Sequence, residues 1–195
     1  MIIIFDLDYT LLDAAKFKNG LAKVLGLSRK EFNLSYKKHF KNKKINYNPE
    51  RHLLILEKEG KKLPLNAKKR VVCFLRNINK FLFSGAEEKI RKLGKKNFLI
   101  LLTLGDKSWQ ARKMKNLKIK KYFDKIILVD KHKTGALKFL KNKKDKILVV
   151  NDKAKETKEI LKMINAKTFL IKGPYSKNIK HKFEIHKSIG QLKVE

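Results

Sequence analysis

Residues 1–13 read MIIIFDLDYTLLD. Ile2, Ile3, Ile4 and Phe5 form a short apolar run without alternation, the pattern of a strand buried on both faces of a parallel sheet. Asp6 ends the run and Asp8 follows two residues later. Side chains alternate along a strand, so Asp6 and Asp8 project the same way while Leu7 points into packing. Two carboxylates at the end of a buried strand are costly to place, and a function that needs the pair is the natural reading.

Further apolar runs lie far down the chain: FLILLT at 98–103, KIILVD at 125–130, KILVVND at 146–152 and TFLI at 168–171. Helical patterns at 108–117, 134–142 and 154–165 separate them. Strands alternating with helices predict an α/β fold, a doubly wound parallel sheet with right-handed crossovers. Residues 14–82 have a different texture. Ala14, Phe17, Leu21, Val24 and Leu25 recur at helical spacing. Ser28 and Glu31 fit a capping box, and Pro49 fits the first position of a helix. Asn66 is a candidate cap for a helix with Val71, Leu75, Ile78 and Leu82 on its core face. An all-helical insert over 14–82 is expected, with the α/β core built from 1–13 and 83–195.

The 195 residues hold 50 Lys and Arg against 18 Asp and Glu, a formal net charge of +32. Such a charge favours anionic partners: phosphorylated small molecules, nucleic acid or an acidic surface. Asn and Ile are also abundant, so A/T-rich codon bias is an equal explanation of the charge. Within 16–80 the only acids are Glu31, Glu50, Glu57 and Glu59, so the insert is the more one-sidedly basic part. The run YKKHFKNKKINYN at 36–48 mixes lysines with aromatic residues, which can stack on nucleic-acid bases. At helical spacing such residues more often face a core. Cys73 is the only cysteine, so no disulfide forms within the chain, and RVVCFLRNI suggests a buried structural thiol. His39, His52, His132, His181 and His186 show no metal-ligand spacing. No signal peptide or membrane span is recognisable, and a cytoplasmic location without membrane attachment is expected.

In an open parallel sheet, ligands bind beyond the carboxyl ends of the strands. The polar residues ending the runs are Asp6 and Asp8, then Thr103, then Asp130 or Lys131, then Asn151 and Asp152. Clustered carboxylates need a cation, and an all-oxygen set suits Mg²⁺. A nearby lysine suits a phosphate. The chemistry predicted is metal-dependent phosphoryl transfer.

DLDYT at 6–10, LLTLGD at 101–106, the lysines after 130 and LVVNDKAKE at 148–156 resemble, in order and spacing, the motifs of the haloacid dehalogenase-like (HAD) hydrolase superfamily. The insert sits where phosphatases of that superfamily carry a helical cap, and IHKSIGQL at 185–192 resembles their last short strand and helix. The resemblance implies that Asp6 is the nucleophile and Asp8 the general acid and base, the latter with a raised pKa. It implies that Thr10 steadies the turn after the strand. Thr103, with backbone N–H groups such as that of Leu104, would bind the phosphate with Lys133, or alternatively Lys131. Asp6, the carbonyl of Asp8 and Asp152 would hold Mg²⁺, and Glu156 would steady the waters around it. Two positions depart from the family pattern: Asn151 replaces a glycine and Glu156 an aspartate. Dehalogenating members lack the second acid of the first motif, so Asp8 favours phosphate chemistry. The expected function is a Mg²⁺-dependent phosphomonoester hydrolase acting on a small phosphorylated metabolite. The alternatives are a nucleic-acid-binding protein on the same scaffold or a phosphatase of nucleic-acid ends.

Overall fold

A computed structural model of the chain describes residues 1–176 and 183–193. The core is one parallel sheet of six strands: β1 (Ile2–Phe5), β2 (Phe98–Leu104), β3 (Lys125–Val129), β4 (Ile147–Asn151), β5 (Lys167–Ile171) and β6 (Ile185–His186), in the order β3-β2-β1-β4-β5-β6. β1 is central, with Ile3 opposite Leu99 on one side and Leu148 on the other. Its alternation explains its composition. Ile3 and Phe5 join one hydrophobic core with Leu99, Leu101 and Val150. Ile2 and Ile4 join a second with Ile100, Leu102, Ile147 and Val149. Each such side chain taken from water stabilises the fold by roughly 1.5–3 kcal/mol, so the strand must be apolar until it reaches the sheet edge.

Helices cover both faces. α5 (Ala86–Gly94) and α6 (Lys107–Asn116) bury Ile90, Leu93, Trp109 and Met114 in the first core. The short α7 (Lys133–Ala136) leads to Leu137 and Leu140, and α8 (Ala154–Leu161) supplies Ile160, all in the second core. The chain passes from one flank of β1 to the other between β3 and β4, so the crevice between β1 and β4 is the switch point where ligands bind.

Between β1 and α5 the insert forms α1 (Ala14–Val24), α2 (Arg29–Tyr36), α3 (Pro49–Lys58) and α4 (Ala67–Arg76). The Ser28–Glu31 capping box is present, and Asn48 caps α3 with Pro49 in its first turn. The chain leaves and returns side by side: Asp13 N–H donates to the Phe81 carbonyl at 2.7 Å and Phe83 N–H to that of Leu11 at 2.9 Å. Phe17, Phe74 and Phe81 pack ring against ring at 5.1–5.4 Å, and Phe17 meets Trp109 of α6 at 6.2 Å. Polar contacts also join insert and core. The Asn46 amide donates to the Asp130 carbonyl at 2.6 Å, the Asn48 amide to Asp106 at 3.0 Å, and Arg112 pairs with Glu50.

Several local expectations need correcting. Cys73 is exposed, because Val71, Phe74 and Leu75 set the inward face of α4 and turn position 73 outward. Asn66 precedes α4 in a left-handed conformation, φ 55°, and its side chain makes no cap. The helix expected over 134–142 is α7 followed by a 3-10 turn at Lys138–Leu140. α5 had no counterpart in the sequence pattern.

The aromatic residues of 36–48 turn largely inward. Phe40 is fully buried; Phe32, Phe40 and Tyr47 surround the buried His52, and Tyr36 packs on Tyr47. Both ring nitrogens of His52 are partnered, Nε2 with Ser35 Oγ at 2.9 Å and Nδ1 with Tyr47 OH at 3.1 Å. Burial pushes its pKa down to about 4, with His39 adding to the effect. A histidine depressed in the folded state loses stability as pH falls through its unfolded value, because the unfolded chain takes up the proton first. Between pH 7 and pH 5 this costs about 2 kcal/mol, from the difference between roughly 6.5 and 4. Urea denaturation at the two pH values should show that loss, reduced in His52→Gln; an identical loss in the variant would contradict it.

Candidate active site

The carboxyl ends of β1, β2 and β4 bring Asp6, Thr103 and Asp152 to one edge, all buried. A tight turn follows β1: the N–H groups of Thr10, Leu11 and Leu12 all reach the Leu7 carbonyl. Tyr9 takes a left-handed backbone, φ 64°, which costs a non-glycine residue on the order of 1 kcal/mol or more. Thr10 Oγ1 donates to Asp6 Oδ2 at 3.4 Å, tying the turn to the first acid.

Lys133, at the start of α7, is buried against Asp6 and Glu156. Its Nζ lies 2.5 Å from Asp6 Oδ1 and 2.7 Å from Glu156 Oε1. Burial would lower the Lys133 pKa, but the two carboxylates outweigh it and the ammonium is held charged. Burial pushes the Asp6 carboxyl up, opposed by Lys133. Lys131 is exposed, on the rim of an open cavity of about 580 Å³ that Lys133, Lys153, Lys155 and His132 also line.

Asn151 explains how two departures from the family pattern fit together. Its Oδ1 accepts from the N–H groups of Asp152 at 2.9 Å and Lys153 at 3.2 Å, and its Nδ2 donates to Glu156 at 2.7 Å. The amide thus fixes the turn before α8 and anchors the longer acid. Burial would raise the Glu156 pKa, yet Lys133 and Lys153 prevail and lower it.

Asp152 is fully buried, and neither carboxylate oxygen has a hydrogen-bond partner. Burial, and then the charge of Asp6, push its pKa up to about 7. An ionised carboxylate left so costs several kcal/mol, and a cation held between Asp152 and Asp6 would offset that cost. Among the described residues no three Asp, Glu, His or Cys side chains gather as a metal cluster. The site therefore offers a divalent ion two carboxylates, with backbone carbonyl and water for the rest. That suits a hard ion that keeps several waters, such as Mg²⁺.

Asp8 differs from expectation. Its carboxylate is taken by Lys113 of α6, whose Nζ lies 2.7 Å from Oδ1 and 2.9 Å from Oδ2. Burial would raise the Asp8 pKa, but Lys113 outweighs it and the net shift is downward, not upward. Sequence reasoning did not single out Lys113. The available signal was its place on the buried face of α6 beside Trp109, Gln110 and Met114. Lys153, half-buried beside the acids, was also missed; burial would lower its pKa, but Asp6 and Glu156 raise it. The histidines stand apart: His39 pairs with Glu59, His186 stacks on Phe169, and His132 is exposed. His181 lies outside the described residues.

This edge of acids and lysines on a 3-2-1-4-5-6 parallel sheet with a helical insert defines a hydrolase of the HAD type. The haloacid dehalogenase-like hydrolase family model matches residues 3–159, and the chain belongs to that family. Solved structures agree on the fold. A haloacid dehalogenase-like hydrolase from Burkholderia xenovorans LB400 matches with TM-score 0.70 and 17% identity, over 97% of this chain and 93% of that one. The HAD-hydrolase YfnB from Bacillus subtilis, bound to magnesium, matches with TM-score 0.67 and 15% identity, over 97% and 95%. The L-2-haloacid dehalogenase from Xanthobacter autotrophicus matches with TM-score 0.56 and 11% identity, over 86% and 76%. No curated protein matches the sequence. Among the described residues no helix is long and apolar enough to cross a membrane.

The Asp8–Lys113 pair gives a direct prediction. Lys113→Met should raise the Asp8 pKa, read from the carboxyl carbon shift in an NMR titration of the metal-free protein. An unchanged midpoint would show that Lys113 does not set it.

Proposed function

We propose that the protein is a Mg²⁺-dependent phosphomonoester hydrolase working through an aspartyl-phosphate at Asp6. The observation that carries this reading is Lys133 at 2.5 Å from Asp6, beside the two unpartnered oxygens of Asp152. Asp6 and Asp152, with the Asp8 carbonyl, would hold the ion. When bound, Mg²⁺ would neutralise the paired acids and polarise the phosphoryl oxygens.

The chain's own groups supply the remaining steps. Lys133 and the end of β2, with the Thr103 hydroxyl and the Leu104 N–H, would bind the phosphate oxygens. An Asp6 oxygen attacks phosphorus; the bond to the leaving oxygen breaks, and its electron pair leaves with that oxygen. The leaving oxygen takes a proton delivered by the Asp8–Lys113 pair. Water then attacks phosphorus and gives its proton back to the pair, and the phosphorus–Asp6 bond breaks to restore the carboxylate. Lys133 offsets the charge of both transition states, and Glu156, held by Asn151, keeps it aimed.

Asp8 supports phosphate transfer over dehalogenation, because displacement of a halide needs no proton for the leaving group. A cavity of about 210 Å³ between insert and core supports a small substrate over a polymer. The inward packing of Phe40 and its neighbours removes one argument for base stacking.

Two outcomes test the reading. Asp6→Asn should reduce hydrolysis of p-nitrophenyl phosphate in Mg²⁺ to background; sustained turnover would sink the mechanism. Chelation by EDTA should stop the wild-type reaction and added Mg²⁺ restore it, whereas full activity in EDTA would remove the metal.

A further inference from the structure

The 210 Å³ cavity lies directly over Asp8, where a leaving group would sit. That is below the roughly 300–1,000 Å³ typical of pockets for drug-sized ligands, which suits a small leaving group. Its charge is one-sided: Lys18, Lys113 and Lys153 line it, and Asp8 is its single acid. Lys113 is already bound to both oxygens of Asp8, and Lys153 lies near Asp6, Glu156 and Asp152 without an ion pair among the described residues.

Lys18 of α1 is not balanced. Among the described residues it has no carboxylate within ion-pair distance. Its Nζ lies 3.4 Å from Tyr9 OH, and 5.5 and 5.4 Å from the ring centroids of Tyr9 and Tyr36. It is close enough to Asp8 to help lower that residue's pKa. A part-buried ammonium held between two rings over the leaving-group side is a cation prepared for an anion.

A second observation also points to a polar occupant. Gln110 lines the same cavity and is 4% exposed. Its Nε2 donates to the Leu104 carbonyl at 3.2 Å, which fixes the amide's orientation, and its Oε1 is buried with no partner. A wholly apolar leaving group would leave that acceptor orphaned.

We propose that the substrate is a small phosphomonoester whose leaving group bears a second anionic substituent, a carboxylate or a second phosphate, bound by Lys18. The proposal deepens the phosphatase reading and rests on it for the placement of the first phosphate. Lys18 is then a specificity-determining residue supplied by the insert.

The test uses two matched pairs: 3-phosphoglycerate against glycerol 3-phosphate, and propane-1,3-diol bisphosphate against propyl phosphate. Binding is measured calorimetrically on Asp6→Asn with Mg²⁺, so that it does not depend on turnover. At least one doubly anionic member should bind about tenfold or more tighter than its partner, the size of one hydrogen bond to a charged group; the pair that shows it identifies the anion. Added Lys18→Met should bring that ratio to about one, and Lys18→Arg should restore it, which a loss of folding would not do. No preference in either pair, or a preference indifferent to Lys18→Met, overturns the proposal. Wild-type kinetics on the same compounds separate the two claims. Preference in binding without any turnover overturns the phosphatase reading and leaves the anion site standing. Turnover without preference does the reverse.

Discussion

Four carboxylates, Asp6, Asp8, Asp152 and Glu156, are packed at one edge of the sheet, and their mutual repulsion and desolvation constrain everything around them. Buried acids persist only with partners. Lys133 bridges Asp6 and Glu156, Lys113 takes Asp8, and Lys153 lies in the field of all four. Asp152 alone is left with both oxygens unpartnered. The paired acids are held in place by lysines, and under the proposed function Asp152 is the acid that would meet the ion.

The fold exists to hold that edge. β1 is apolar on both faces because it is the middle strand, and the same centrality lets Asp6 face β2 and β4 at the switch point. The insert leaves immediately after the acids, through a turn strained at Tyr9, and returns beside its own exit at 81–83. It therefore covers the site it interrupts, and its α1 contributes Lys18 to the cavity over Asp8.

Much of this was legible in the sequence because the decisive residues sit where a periodic signal stops. Asp6, Thr103 and Asp152 each terminate an apolar run, and the topology alone brings such ends together. Lys133 was marked, with Lys131 as the alternative, only by the family resemblance. Most of what escaped reading lies on helices. Lys113 and Asp8 are in contact across 105 residues of sequence, and a lysine on an amphipathic helix carries no local mark of which acid it will meet. Lys18 and Gln110 share that obscurity. Cys73 was misread for a related reason: an apolar neighbourhood does not fix a residue's angle on a helix, and the face of Val71, Phe74 and Leu75 turned it outward. Asn151 and Glu156, two departures from the family pattern when taken singly, make sense only as a bonded pair.

The central claim is that Asp6 carries the phosphoryl group between two half-reactions. The most direct measurement is to quench the Mg²⁺ enzyme during turnover of a phosphomonoester, reduce it with borohydride, and map the product by mass spectrometry. An aspartyl-phosphate at Asp6 would be converted to homoserine at that position and nowhere else. Steady turnover with Asp6 recovered unmodified, or with the reduced residue elsewhere, would contradict the account.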